Sequence, residues 1–175
     1  MTHHISPRGT VALAVLVAPI AAAAQTLCAK GEVDYFTCRF ADQRIISVCG
    51  IVHDEPTARD WLQYRSGFPS RLERAWPRDR GGSLGKFEGN VFGRYSVSDL
   101  RFRIDDANYG ITLSRGGQDD GAGGRTRSEA DVHVARAGHP DVVRECVRPD
   151  IARYGQSFEA LNARLSIRPN ATGSQ

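Results

Sequence analysis

Glu32-Val33-Asp34-Tyr35-Phe36-Thr37-Cys38-Arg39-Phe40, then Ala41-Asp42-Gln43-Arg44, then Ile45-Ile46-Ser47-Val48-Cys49-Gly50-Ile51 is the stretch that decides the fold. The first part alternates, with Phe36, Cys38 and Phe40 on one side. The last part is short, apolar and rich in β-branched residues. Polar, turn-forming residues separate them, so the three together predict a β-hairpin. With Asp42-Gln43 as a two-residue turn, Phe40 faces Ile45, Cys38 faces Ser47 and Phe36 faces Cys49. Both cysteines then point inward with the phenylalanines. Cys38 and Cys49 become diagonal neighbours about 7 Å apart at Cβ, where a disulfide needs about 4 Å. This register favours Cys28–Cys49 with Cys38–Cys146. A slip of one residue at the turn instead permits Cys38–Cys49 with Cys28–Cys146.

The same reading extends down the chain. Strands are predicted over 60–66 and 71–76, turning at 67–70 and stopped by Pro77. Residues 78–90 read as a polar, Gly-rich loop, and 91–95 as a short strand. Leu100, Phe102 and Ile104 alternate over 99–104, with a turn at 105–108 and a returning strand over 109–114. Residues 115–128 carry five glycines and predict a long, flexible hairpin tip. Strands follow over 130–135 and 142–146. Ile151, Tyr154, Phe158, Leu161 and Leu165 then recur at helical spacing. Gly155 weakens that helix and leaves 156–165 as its secure part. Eight or nine short antiparallel strands and one C-terminal helix make a mainly β fold: a small barrel or sandwich with the helix packed on an end or face.

The N-terminus sets the compartment. One basic residue, Arg8, precedes an uncharged, mostly apolar run over 11–24 that ends in Ala22-Ala23-Ala24. This is the pattern of a cleavable signal peptide. The run is shorter than the roughly 20 residues a membrane-spanning helix needs, and Pro19 interrupts it. The expected organisation is a signal peptide over 1–24, one disulfide-containing domain over 25–166 and a flexible tail over 167–175. The destination is the periplasm or the medium. An even number of cysteines in an exported chain reads as two bridges joining Cys28, Cys38, Cys49 and Cys146. The chain has no Cys-x-x-Cys pair, and its histidines lack ligand-like spacing, so no metal or cofactor is expected. The 23 Lys and Arg exceed the 20 Asp and Glu by 3, and by 2 once Arg8 leaves. The arginines are scattered, so nucleic acid is not an expected partner.

Several motifs invite chemistry. Gly81-Gly82-Ser83-Leu84-Gly85 matches the nucleophile elbow, but it lacks the preceding buried strand and following helix that would present Ser83 to a histidine. Asp119-Asp120 sits among glycines, where a solvated hairpin tip is expected rather than the six or more ordered oxygens of a calcium site. His133, between Val132 and Val134, reads as a surface-side strand residue. Asp105-Asp106 is a carboxylate pair in a turn, where backbone geometry already favours Asp. Asn170-Ala171-Thr172 is a glycosylation sequon in the tail. The candidate binding surface is Trp61, Gln63 and Arg65, which alternation sets on one strand face with Leu62 and Tyr64 on the other, together with Trp76, because aromatics and arginine dominate binding hot spots. The plainer reading, which weighs more, is that one set is core and the other covers it.

Phe36-Thr37-Cys38, Ile46-Ser47-Val48-Cys49 and Leu62-Gln63-Tyr64-Arg65-Ser66-Gly67 resemble the motifs of a family of small exported bacterial proteins of unknown function. Looser matches follow at 72–77, 109–113 and 132–146. Ser66 stands where that family carries an aromatic residue, and the middle loop differs. The resemblance implies fold and compartment and brings no catalytic residues. The expected function is a non-enzymatic binding or inhibitor module of the bacterial envelope, with an envelope or extracellular protein as partner. Periplasmic lysozyme inhibitors are an architectural analogue. The competing expectation is a cell-wall or extracellular hydrolase using Ser83 or a carboxylate pair.

Overall fold

The computed structural model describes residues 26–69, 71–92, 96–117, 126–147 and 151–166. Among the described residues, nine strands form two antiparallel sheets. The first runs β1 (Val33–Arg39), β2 (Ile45–Ile51), β3 (Trp61–Phe68), β4 (Arg71–Trp76) in spatial order. The second runs β5 (Phe87–Phe92), β6 (Ser96–Ile104), β7 (Ala107–Gly117), β8 (Thr126–Arg136), β9 (Val142–Glu145). Every connection within a sheet joins neighbours, so each is a simple meander. A 3-10 turn at Ser83–Lys86 links the two, and one helix, α1 (Ile151–Ser166), follows β9. The described strands close no barrel, which removes that half of the predicted alternative.

Alternation builds the core. In β6, Leu100, Phe102 and Ile104 are buried while Arg101 and Arg103 are exposed. Ile111 and Leu113 in β7 and Ala130 and Val132 in β8 continue the same inner face. Phe102 is the hub between the sheets. Its ring lies 5.1 to 5.6 Å from those of Tyr64, Trp76, Phe87 and Tyr109, so strands of both sheets meet on one aromatic cluster. Such ring pairs add about 0.5–1.5 kcal/mol each beyond their burial.

The first hairpin differs from its predicted register by one residue. Its loop has three residues, 41–43, rather than two. The Gln43 N–H donates to the Phe40 carbonyl (3.0 Å) and the Phe40 N–H to the Arg44 carbonyl (2.9 Å), with Gln43 left-handed at φ 67. Cys38 therefore pairs with Ile46, and Phe36 with Val48. Cys49 lies on the other face of the sheet, pairing with Asp34 beyond a bulge between Asp34 and Phe36. The expectation that both cysteines point inward is corrected. The slip of one residue occurs, yet it separates Cys38 from Cys49 by a sheet's thickness instead of joining them. The bridges are Cys28–Cys49 and Cys38–Cys146, with Cα atoms 5.3 Å apart in each. The favoured pairing stands, but for a reason different from the one predicted. Two disulfides point to an oxidising, non-cytoplasmic location. Among the described residues, no helix is long and apolar enough to cross a membrane.

Two other elements depart from expectation. Residues 87–90, read as loop, belong to β5, and α1, expected to be secure only over 156–165, is regular from Ile151 through Gly155. Both departures trace to glycine. A Cβ at Gly89 would lie 2.5 Å from the Asn162 carbonyl oxygen, so α1 rests directly on the β5 backbone. A Cβ at Gly155 would lie 3.0 Å from the guanidinium of Arg115, a β7 side chain that crosses the helix there to pair with Glu159. Tyr154, Phe158, Leu161 and Leu165 are buried, and the Phe158 and Tyr154 rings stand 5.1 and 6.0 Å from Phe36 of β1. The predicted hairpin tip has strand at both ends, β7 reaching Gly117 and β8 starting at Thr126. Its centre lies outside the described residues, as do the signal-peptide segment and the 167–175 tail.

Candidate functional site

Trp61, Gln63 and Arg65 share one face of β3, as alternation requires, but that face is covered. Their relative exposures are 7%, 4% and 5%. The covering strap is the segment 26–32, held to β2 by the Cys28–Cys49 bridge. The Leu27 N–H donates to Ser47 Oγ (3.0 Å), and Arg65 Nη1 donates to the Leu27 carbonyl (2.9 Å). Arg65 grips Glu32 through both terminal nitrogens, at 2.6 and 2.9 Å. Burial works against the Glu32 charge, but hydrogen bonds from Arg65 and the Ala29 N–H outweigh it, and the carboxyl lies below its ordinary range. Gln63 accepts from Arg65 (2.9 Å) and donates to the Pro77 carbonyl (2.7 Å). Arg80 closes the cluster from outside. It lies 4.0 Å above the Trp61 ring and donates to Glu32 at 2.9 Å. The candidate binding face is thus a buried polar layer, as the core reading has it. Trp76 belongs to the opposite face, against Phe87 and Phe102. The reason is geometric: Trp76 pairs with Tyr64, which points away from Gln63 and Arg65.

Ser83 is fully buried at the start of the 3-10 turn, and its Oγ accepts the Leu62 N–H at 3.0 Å. The hydroxyl fastens the connection between the sheets to β3. His133 is on the outer face of β8, half exposed, with Nε2 2.6 Å from Asp131 Oδ1. Burial raises the Asp131 carboxyl above its ordinary value, opposed by His133 and aided by the Asp99 charge. Asp105 and Asp106 form the β6–β7 turn, with Asp105 left-handed at φ 54 and Asp106 3.2 Å from Arg136. Asp119, Asp120 and Asn170 lie outside the described residues. Among the described residues, no group of three or more His, Cys, Asp or Glu side chains is placed to hold a metal ion.

The sequence reading passed over a His53–Asp60 pair. Asp60 accepts from His53 Nδ1 (2.6 Å) and Thr57 Oγ1 (2.7 Å), and from both backbone N–H groups at 3.3 Å. The Thr57-x-x-Asp60 spacing was its signal. The buried carboxylate orients an exposed imidazole and ties together the loop between β2 and β3.

Exposed apolar surface gathers elsewhere. Among the described residues, three of the seven exposed large apolar side chains, Val142, Val143 and Val147, fall in one short stretch on and just past β9. β9 is the last strand of its sheet, paired on one side with β8. Beyond it a groove of about 580 Å³ runs between β9 and the β1–β2 loop, lined by Phe40, Ala41 and residues 143–147, Glu145 among them. Its frame is rigid. Cys146 is bonded to Cys38, the Val147 N–H donates to the Arg39 carbonyl (2.8 Å), and Arg144 lies 4.0 Å over Phe40 while donating to Asp42 (2.7 Å). Composition alone does not mark this place, because the groove exists only once β1 and β9 are joined. No protein-family model, curated protein or solved structure matches this chain.

Proposed function

We propose that this chain is an exported, non-enzymatic binding module of the bacterial envelope that captures an extended segment of another protein along the outer edge of β9. One observation carries the reading: exposed valines concentrate on an edge strand bordered by a rigid, partly apolar groove. An edge strand offers unpaired backbone groups to an added strand, and adjoining pockets select its alternate side chains. An apolar patch kept exposed on a small exported domain is a mark of an interaction surface. The fitting partner is a protein segment with alternating apolar residues. The setting, periplasm or medium, follows from the sequence pattern over 1–24 and from the resemblance to small exported bacterial proteins.

The test is capture from periplasmic extract by the disulfide-bonded domain, together with inhibition assays across lysozyme types. Val143→Asp changes an exposed side chain and should leave folding intact. We expect a partner whose retention falls at least about tenfold in this variant, the loss of one well-packed contact residue. A partner held equally by Val143→Asp sinks the edge-strand reading. Finding neither partner nor inhibition sinks the binding-module reading itself.

A further inference from the structure

A second, smaller space lies inside the molecule, on the other side of β9 from Val143. It is a slot of about 130 Å³ between the two sheets, walled by Phe40, Ile46, Tyr64, Val132 and Val134, with Ser66 at its side. Arg44 and Arg144 also line it. Residue pairing explains the arrangement. Arg144 is opposite Val132, on the inner face, whereas Val143 is opposite His133, on the outer one.

The size and chemistry of the slot narrow its occupant. A cavity near 150 Å³ accommodates a molecule of about six heavy atoms. Aliphatic and aromatic walls from both sheets call for an apolar body. The arginines call for a negative head. Arg144 donates to Asp42 (2.7 Å), Arg44 to Glu73 (2.6 Å) and Arg71 to Glu73 (2.7 Å). Among the described residues, this set of ion pairs counts three guanidiniums to two carboxylates. Both lining guanidiniums are pinned over rings, Arg144 on Phe40 at 4.0 Å and Arg44 on Phe68 at 5.0 Å, which preorganises them. Burial pushes the Tyr64 phenol in the wall up to about 12. We propose that this slot binds a small aliphatic carboxylate, its tail between the sheets and its head on Arg144 and Arg44.

The slot shares Phe40 and Arg144 with the groove at β9, but its occupancy does not require strand capture there, and a different experiment tests it. Butanoate is titrated into the isotope-labelled, disulfide-bonded protein while the methyl signals of Ile46, Val132 and Val134 are followed. Saturable shifts at millimolar butanoate are expected, with butylammonium inert over the same range. Arg144→Met should weaken butanoate at least about tenfold, the loss of a charge-assisted contact. Because Arg144 is partly exposed, this variant should keep the parent's methyl spectrum. Val134→Phe, which fills the slot, should abolish the shifts; if it fails to fold, Arg144→Met decides alone. Absence of saturable shifts overturns the site. Equal binding of butanoate, butylammonium and butan-1-ol overturns the role given to the arginines.

Discussion

Asp60 shows how a single side chain can organise a loop and tie stability to pH. Burial pushes its carboxyl up, but hydrogen bonds from His53 and Thr57 outweigh burial and hold it down to about 2, against an ordinary 3.8. A carboxyl depressed in the folded state stabilises that state fully above its unfolded value. The contribution is lost as pH falls through the folded value. Denaturant midpoints of the wild type should therefore drop between about pH 4 and about pH 2. Asp60→Asn should be less stable at neutral pH and show a shallower drop over that window. Equal slopes in the two proteins would assign the acid sensitivity to other groups. The sequence made part of this scale legible. Leu62 and Tyr64 were separated from Trp61, Gln63 and Arg65 by alternation alone, and the faces are as predicted. What alternation does not carry is the cover. The strap that buries Arg65 arrives from more than 30 residues away in the chain, and no local pattern announces it.

At the scale of elements, β5 and α1 depend on each other. The alternation of β5 was hidden because its middle inward position is Gly89, which looks like a loop residue until the helix is placed against it. The weakening expected at Gly155 does not interrupt the helix for a similar reason, since the missing side chain is where Arg115 passes. Gly89→Ala should be destabilised by about 1–3 kcal/mol, the usual cost of overpacking a filled contact, because backbone rather than a flexible side chain meets the new methyl. Chemical denaturation measures this, and an unchanged midpoint would mean the helix can lift away freely. The one-residue error in the first hairpin is of another kind. It turned on Gln43 adopting a left-handed conformation, which Gly or Asn would have advertised and Gln does not.

At the scale of the whole molecule, the two bridges do unequal work. Cys28–Cys49 spans 21 residues and Cys38–Cys146 spans 108. On chain-entropy grounds, removing the first should cost about 3 kcal/mol and removing the second nearly about 5 kcal/mol. Paired Cys→Ser variants, compared by thermal and denaturant unfolding, should rank in that order, and the reverse ranking would show that the strap matters more than the long closure. The candidate groove belongs to this scale too. It lies where the first strand meets the last, so the sequence could supply its residues but not their meeting.

The long bridge has a consequence for survival under proteolysis. It makes the chain from residue 38 to residue 146 a covalent ring. A protease that cuts one peptide bond anywhere within that ring opens it without releasing a fragment. Both sheets stay tethered, and the pieces can re-pair at high effective concentration. A domain exposed to foreign proteases can thus be nicked once and remain one molecule.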